Sequence, residues 1–120
     1  MKYEYMPPGL KEDYEDEKCL KKKYNVNISE GMMKFLGVLE AATNAYDIKV
    51  MPQFFMEHKK GNLKEYYSIT LDKKKSKWRL MIQMLDENDN VVEPTENEKE
   101  FSQGIKKIRI REISDHYGEY

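Results

Sequence analysis

The chain has 120 residues, 39% hydrophobic and 36% charged, with a net charge of −1. That length supports one domain over residues 1–120 with a single core, and the near-neutral balance argues against a uniformly basic nucleic-acid binder. The lone Cys19 excludes an internal disulfide and a multi-cysteine metal site, and no apolar run approaches membrane-span or signal-peptide length, so a reducing, cytoplasmic setting without membrane contact is expected.

Residues 1–9 read as a short aromatic segment stopped by Pro7-Pro8-Gly9. Residues 10–24 carry acids first and bases last, which complements a helix dipole and predicts a thin surface helix. Ser29 reads as the N-cap of the main core helix over 29–45. There Met32, Phe35, Leu36, Leu39 and Ala42 recur at helical spacing, in spite of Gly31 and Gly37. "MPQFFM" (51–56) reads as an edge strand, since an edge tolerates Pro52.

Downstream the period changes to two. Tyr67, Ile69 and Leu71 share one face of "YYSITL"; Trp78, Leu80, Ile82 and Met84 share one face of "WRLMIQML"; Ile108 and Ile110 share one face of "IKKIRIREI". The expected class is α+β: N-terminal helices on one face of a small antiparallel sheet, with an open basic face behind. That second face holds Arg79, Lys107, Arg109 and Arg111. Continuing the alternation from Ile110 gives Glu112, Ser114 and His116 to the core side and Tyr117 to the open face. The link 72–77 is a basic hairpin loop. The link 86–104 is acidic, with a short capped helical turn expected in "TENEKEF".

Charge is segregated. Residues 58–79 carry Lys59, Lys60, Lys64, Lys73, Lys74, Lys75, Lys77 and Arg79 against Glu65 and Asp72, whereas 86–100 carry seven acids and one lysine. No metal-ligand cluster and no Gly-rich phosphate loop is present, so no cofactor is implied. What remains is a set of His, Lys, Arg and Tyr side chains. Such a set suits metal-free RNA cleavage, in which a base frees the ribose 2′-OH to attack the adjacent phosphate. Cations then stabilise the transition state and an acid protonates the leaving oxygen. Taken singly, His58 reads equally as a solvated turn histidine, the lysine run as a solvated loop, and Arg79 as either salt bridge or site. Tyr66 and Tyr67 suggest base stacking, but Tyr67 and Trp78 have core parity.

"HKKGNLKEYYSI", then "KWRL" after a hairpin, then "IRIREISDHY" together resemble the HigB-like toxins of the RelE/ParE superfamily, in order over residues 29–120. The resemblance implies a RelE-like toxin domain of a type II toxin–antitoxin system, a ribosome-dependent mRNA endoribonuclease (an mRNA interferase) that inhibits translation. It implies a HigA-like helix-turn-helix antitoxin as partner, contact with mRNA on the ribosome, and contact with DNA only through the antitoxin. It assigns His58, Lys60 and Arg79 to catalysis, with the C-terminal pair His116 and Tyr117 in inverted order. Lys59, Lys64, Lys107, Arg109 and Arg111 are the expected RNA contacts. The alternatives are a ParE-like toxin that binds DNA gyrase without cutting RNA, and a non-catalytic interaction module.

Overall fold

Sixteen consecutive residues, Val26–Ala41, form the longest helix (α3) of the computed structural model, which describes residues 1–115. Its buried stripe of Ile28, Met32, Phe35, Leu36 and Leu39 packs on the sheet, each fully buried aliphatic or aromatic side chain contributing about 1.5–3 kcal/mol. The cap is Asn25, whose Oδ1 accepts from the Ile28 N–H at 2.8 Å. Ser29 is therefore not the N-cap that the sequence suggests. It lies inside the helix, buried, and its hydroxyl donates to the Glu17 carbonyl, tying α3 to the preceding helix.

The expected helix over 10–24 is two helices, α1 (Leu10–Tyr14) and α2 (Glu17–Lys23). Asp16 breaks them: its backbone is extended, and its carboxylate caps α2 through Lys18 N–H and Cys19 N–H. The core helix expected to run to 45 ends at Ala41, and Ala45 instead opens α4 (Ala45–Lys49), closed by a reciprocal cap between Asn44 and Asp47. The turn expected in "TENEKEF" is α5 (Glu98–Gly104), capped by Asn97. No described helix is long and apolar enough to cross a membrane.

Five strands form one open sheet in the order β1-β5-β4-β3-β2. They are β1 (Lys2–Tyr5), β2 (Glu57–His58), β3 (Tyr67–Ile69), β4 (Arg79–Leu85) and β5 (Lys107–Ser114). All neighbours are antiparallel except β1, which lies parallel to β5. The aromatic start is thus an edge strand, a pairing that no local pattern announces. At the other edge, Pro52 opens a 3-10 turn (Pro52–Phe54), and the edge strand falls just after it at Glu57–His58, a correction to the 51–56 reading.

Gly31 explains how tightly helix and sheet meet. A β-carbon there would lie 1.8 Å from the Leu71 carbonyl oxygen, so only glycine admits this approach.

Strict alternation fails once, and consequentially. Leu80 pairs with Ile113 but Ile82 pairs with Ile110, so Arg111 and Glu112 together oppose Met81 in a β-bulge. Ile113 joins the core and Glu112 is exposed, the reverse of the expected assignment. Ser114 consequently pairs beside Arg79 on the outer face. His116 and Tyr117 lie outside the described residues.

Candidate functional site

The outer face of the sheet is not bare. Met81, Gln83 and Leu85 are buried there, and the acidic link after β4 pairs alongside its end: Leu85 bridges to Val91, and Val92 N–H donates to the Met84 carbonyl. The basic face has two parts with different partners.

On the β1 side the cations are compensated. Lys107 lies 3.0 Å from the Asp89 carboxylate and 3.3 Å from Glu4, and Arg109 lies 3.4 Å from Glu4. Hydrogen bonds to Asp89 and then Glu4 raise the Lys107 ammonium above its ordinary pKa. These two residues hold β1 and the acidic link to β5.

Toward β3 the cations are held by carbonyl, amide and ring groups. Arg79 opens β4 and directs one nitrogen, Nη1, to two carbonyls, Ser76 at 2.7 Å and Trp78 at 2.8 Å. The Ser76 hydroxyl donates to the Asp72 carboxylate at 2.6 Å and accepts from the Trp78 N–H. The hairpin that carries Lys73 and Lys74 in left-handed backbone conformations is thereby locked to the guanidinium. Arg111 sits over the Tyr66 ring, 5.9 Å from its centroid, and reaches the Gln83 side-chain oxygen at 3.4 Å. Among the described residues Arg111 makes no ion pair. Two fixed guanidinium groups and a half-buried aromatic edge can bind phosphate oxygens and stack a base.

The "HKKG" turn divides across the edge strand. His58 pairs with Tyr67 and its ring lies 5.0 Å from that buried tyrosine, so the register gives it to the helix side of the sheet margin. Its Nε2 lies 2.7 Å from the Lys64 carbonyl. A carbonyl oxygen only accepts, so Nε2 carries a proton, and in the neutral ring the basic nitrogen is Nδ1. Glu57, one residue earlier, pairs with Ser68 on the outer side, and Lys59 follows that parity; the Lys59 ammonium is 3.9 Å from the Glu57 carboxylate. Lys60 is exposed just before Gly61, whose φ of +63° makes the sharp turn that a lysine–glycine pair permits. Lys64 is exposed beside Glu93 at 3.8 Å.

The outer face therefore carries both Arg79 and Arg111, with Lys59 on the same parity; it separates His58 from them and neutralises Lys107 and Arg109. Sequence reading missed Gln83, Ser76 and Asp72. Gln83 leaves a signal, being the one polar residue inside "LMIQML" and only 3% exposed. Asp72 and Ser76 leave none, since a loop "DKKKSK" looks uniformly solvated. Tyr67 and Trp78 are packing residues, Trp78 edge-on to Tyr24 at 4.9 Å. Among the described residues no group of three His, Cys, Asp or Glu side chains is placed to hold a metal ion.

Short helices backing one face of a five-stranded, mostly antiparallel open sheet define a RelE-like α+β protein. The chain belongs to the HigB-like toxin family: the family model for the RelE-like toxin of type II toxin–antitoxin system HigB matches residues 3–95. It is a toxin of a type II system, and an antitoxin is its partner. The matched span contains His58, Lys59, Lys60, Lys64 and Arg79 and ends before β5. Comparisons with curated proteins and with solved structures gave no match.

Proposed function

We propose that this toxin is an endoribonuclease that cuts mRNA on the translating ribosome and so stops translation. The observation that carries the reading is that Arg79 and Arg111 are both held on the outer face: one guanidinium pinned by two carbonyls, the other seated on Tyr66 and Gln83. Guanidinium groups fixed before the substrate arrives stabilise a pentacoordinate phosphate without reorganising as its charge develops.

In this reading the 2′ oxygen of a ribose loses its proton to a base and bonds to the adjacent phosphorus. The bond to the 5′ oxygen breaks as an acid protonates it, leaving a cyclic phosphate. Arg79 and Arg111 hold the phosphate oxygens, Lys59 adds charge from the edge, and Tyr66 stacks a base. Proton transfer falls to His116 or Tyr117 in the C-terminal segment, while His58, on the helix side of the sheet margin, contacts the RNA as it crosses the β2 edge. Lys60 and Lys64 contact the strand as it crosses the β2 edge.

The test is cleavage of mRNA in a reconstituted translation reaction. Arg79→Ala should fold normally and lose on the order of a hundredfold or more in rate, as removal of one transition-state donor does elsewhere. Undiminished cleavage by that variant, or growth arrest without RNA cleavage by the unaltered toxin, overturns the assignment.

A further inference from the structure

The helix side of the molecule holds a cavity of about 1010 Å³ between α3, the α4 region and the β3–β4 hairpin. Its floor is small and apolar, lined by Gly37, Val38 and Ala41 of α3 and by Val50 and Met51. A β-carbon at Gly37 would meet nothing within 4 Å, so the groove stays open where Gly31, two turns earlier, is packed shut. Val50 is 55% exposed on this lining, and Phe55, 46% exposed, follows the lining residue Phe54. An open apolar floor with Val50 left in water marks a docking surface.

A second observation is independent of that apolar character. Asp72 lines the groove, is only 5% exposed, and has its Oδ1 buried without a hydrogen-bond partner, while Oδ2 holds Ser76. An orphaned buried carboxylate oxygen is costly to leave unmade and calls for a donor from outside. The rim mixes Glu30 and Asp47 with Lys34, Lys73 and Lys75, which suits a folded protein partner and not a polyanion.

We infer that this groove is the seat of the antitoxin: an apolar segment of the partner fills the floor beside Gly37 and Val50, and one cationic donor from it, of arginine type, bonds Asp72 Oδ1. The inference rests on membership of the type II toxin family and not on RNA cleavage. It places the antitoxin on the face opposite Arg111 and in contact with the Asp72–Ser76 link to the Arg79 guanidinium, so docking acts on the hairpin that orients Arg79 without covering it.

Binding of the purified cognate antitoxin, read by titration calorimetry and by amide exchange, tests this. Asp72→Asn, which removes the charge but keeps a partner for Ser76, should weaken binding about tenfold or more. Val38→Arg, on the half-buried groove floor, should weaken it further, while Arg111→Glu leaves it unchanged. Thermal melts of each variant separate lost binding from lost folding. Antitoxin-dependent exchange protection should fall on 37–51 and 70–73. Protection confined to β5 and the acidic link, or unchanged affinity in a folded Val38→Arg variant, overturns the proposal. Self-association of the toxin alone that Val38→Arg abolishes assigns the groove to a second copy and also overturns it.

Discussion

The Tyr14 hydroxyl accepts a 2.7 Å hydrogen bond from the Ile113 backbone N–H, joining α1 to the last strand across 99 residues of sequence. Ile113 is the first residue after the bulge in β5, where an extra residue disturbs the ladder. A residue read from sequence as part of a thin surface helix thus anchors the point at which the strand changes phase. That phase puts Ser114 beside Arg79.

Tyr14→Phe should keep the ring packing and leave the Ile113 N–H buried without its acceptor. The expected cost is about 1–3 kcal/mol of folding stability, measured by denaturant unfolding. Because the bulge orders the outer face, cleavage should fall as well. A variant as stable as the unaltered chain would show that water replaces the hydroxyl.

Gly31 and Gly37 should respond oppositely to alanine. Gly31→Ala drives a β-carbon into the Leu71 carbonyl, backbone against backbone, so α3 must shift; a loss of about 3 kcal/mol or more is expected. Gly37→Ala meets open space and should gain about 0.5–1 kcal/mol from helix propensity. The pair of melting curves checks both.

Burial lifts the phenols of Tyr5, Tyr14 and Tyr67 well above their ordinary value of 10.0, with the Tyr5 bond to Glu15 adding to the effect. The folded pKa values are raised, so the stability these residues contribute is intact below about pH 10 and is lost above it, where the unfolded chain ionises first. A tyrosinate absorbance titration should show part of the tyrosine signal appearing only together with unfolding. Independent, early titration of all of them would contradict the burial.

The bulge removes the reason for giving His116 to the core side, since that expectation assumed unbroken alternation from Ile110. His116→Gln should therefore slow mRNA cleavage by about a hundredfold, the scale of a lost general acid or base, and Tyr117→Phe should have a smaller effect. Near-normal cleavage by His116→Gln would leave proton transfer to Tyr117.

The sequence by itself determined the class of fold, the central strands and the stripe of α3, because apolar residues recurring with period two or near 3.6 state which face meets the core. It also marked the guanidinium groups and the "HKKG" turn as chemistry-bearing. Only the tertiary structure decided which of them meet. Whether a lysine or arginine is compensated depends on Glu4 and Asp89, which arrive from a distant strand and an irregular link. The face on which His58 stands depends on the pairing of a two-residue edge strand with Tyr67. The parity of the C-terminal strand depends on one inserted residue, and the N–H of Ile113 just after it is met by Tyr14. Period and composition are local properties of the chain. Register, charge pairing and the satisfaction of a bulge are settled between segments far apart in sequence, so no local pattern carries them.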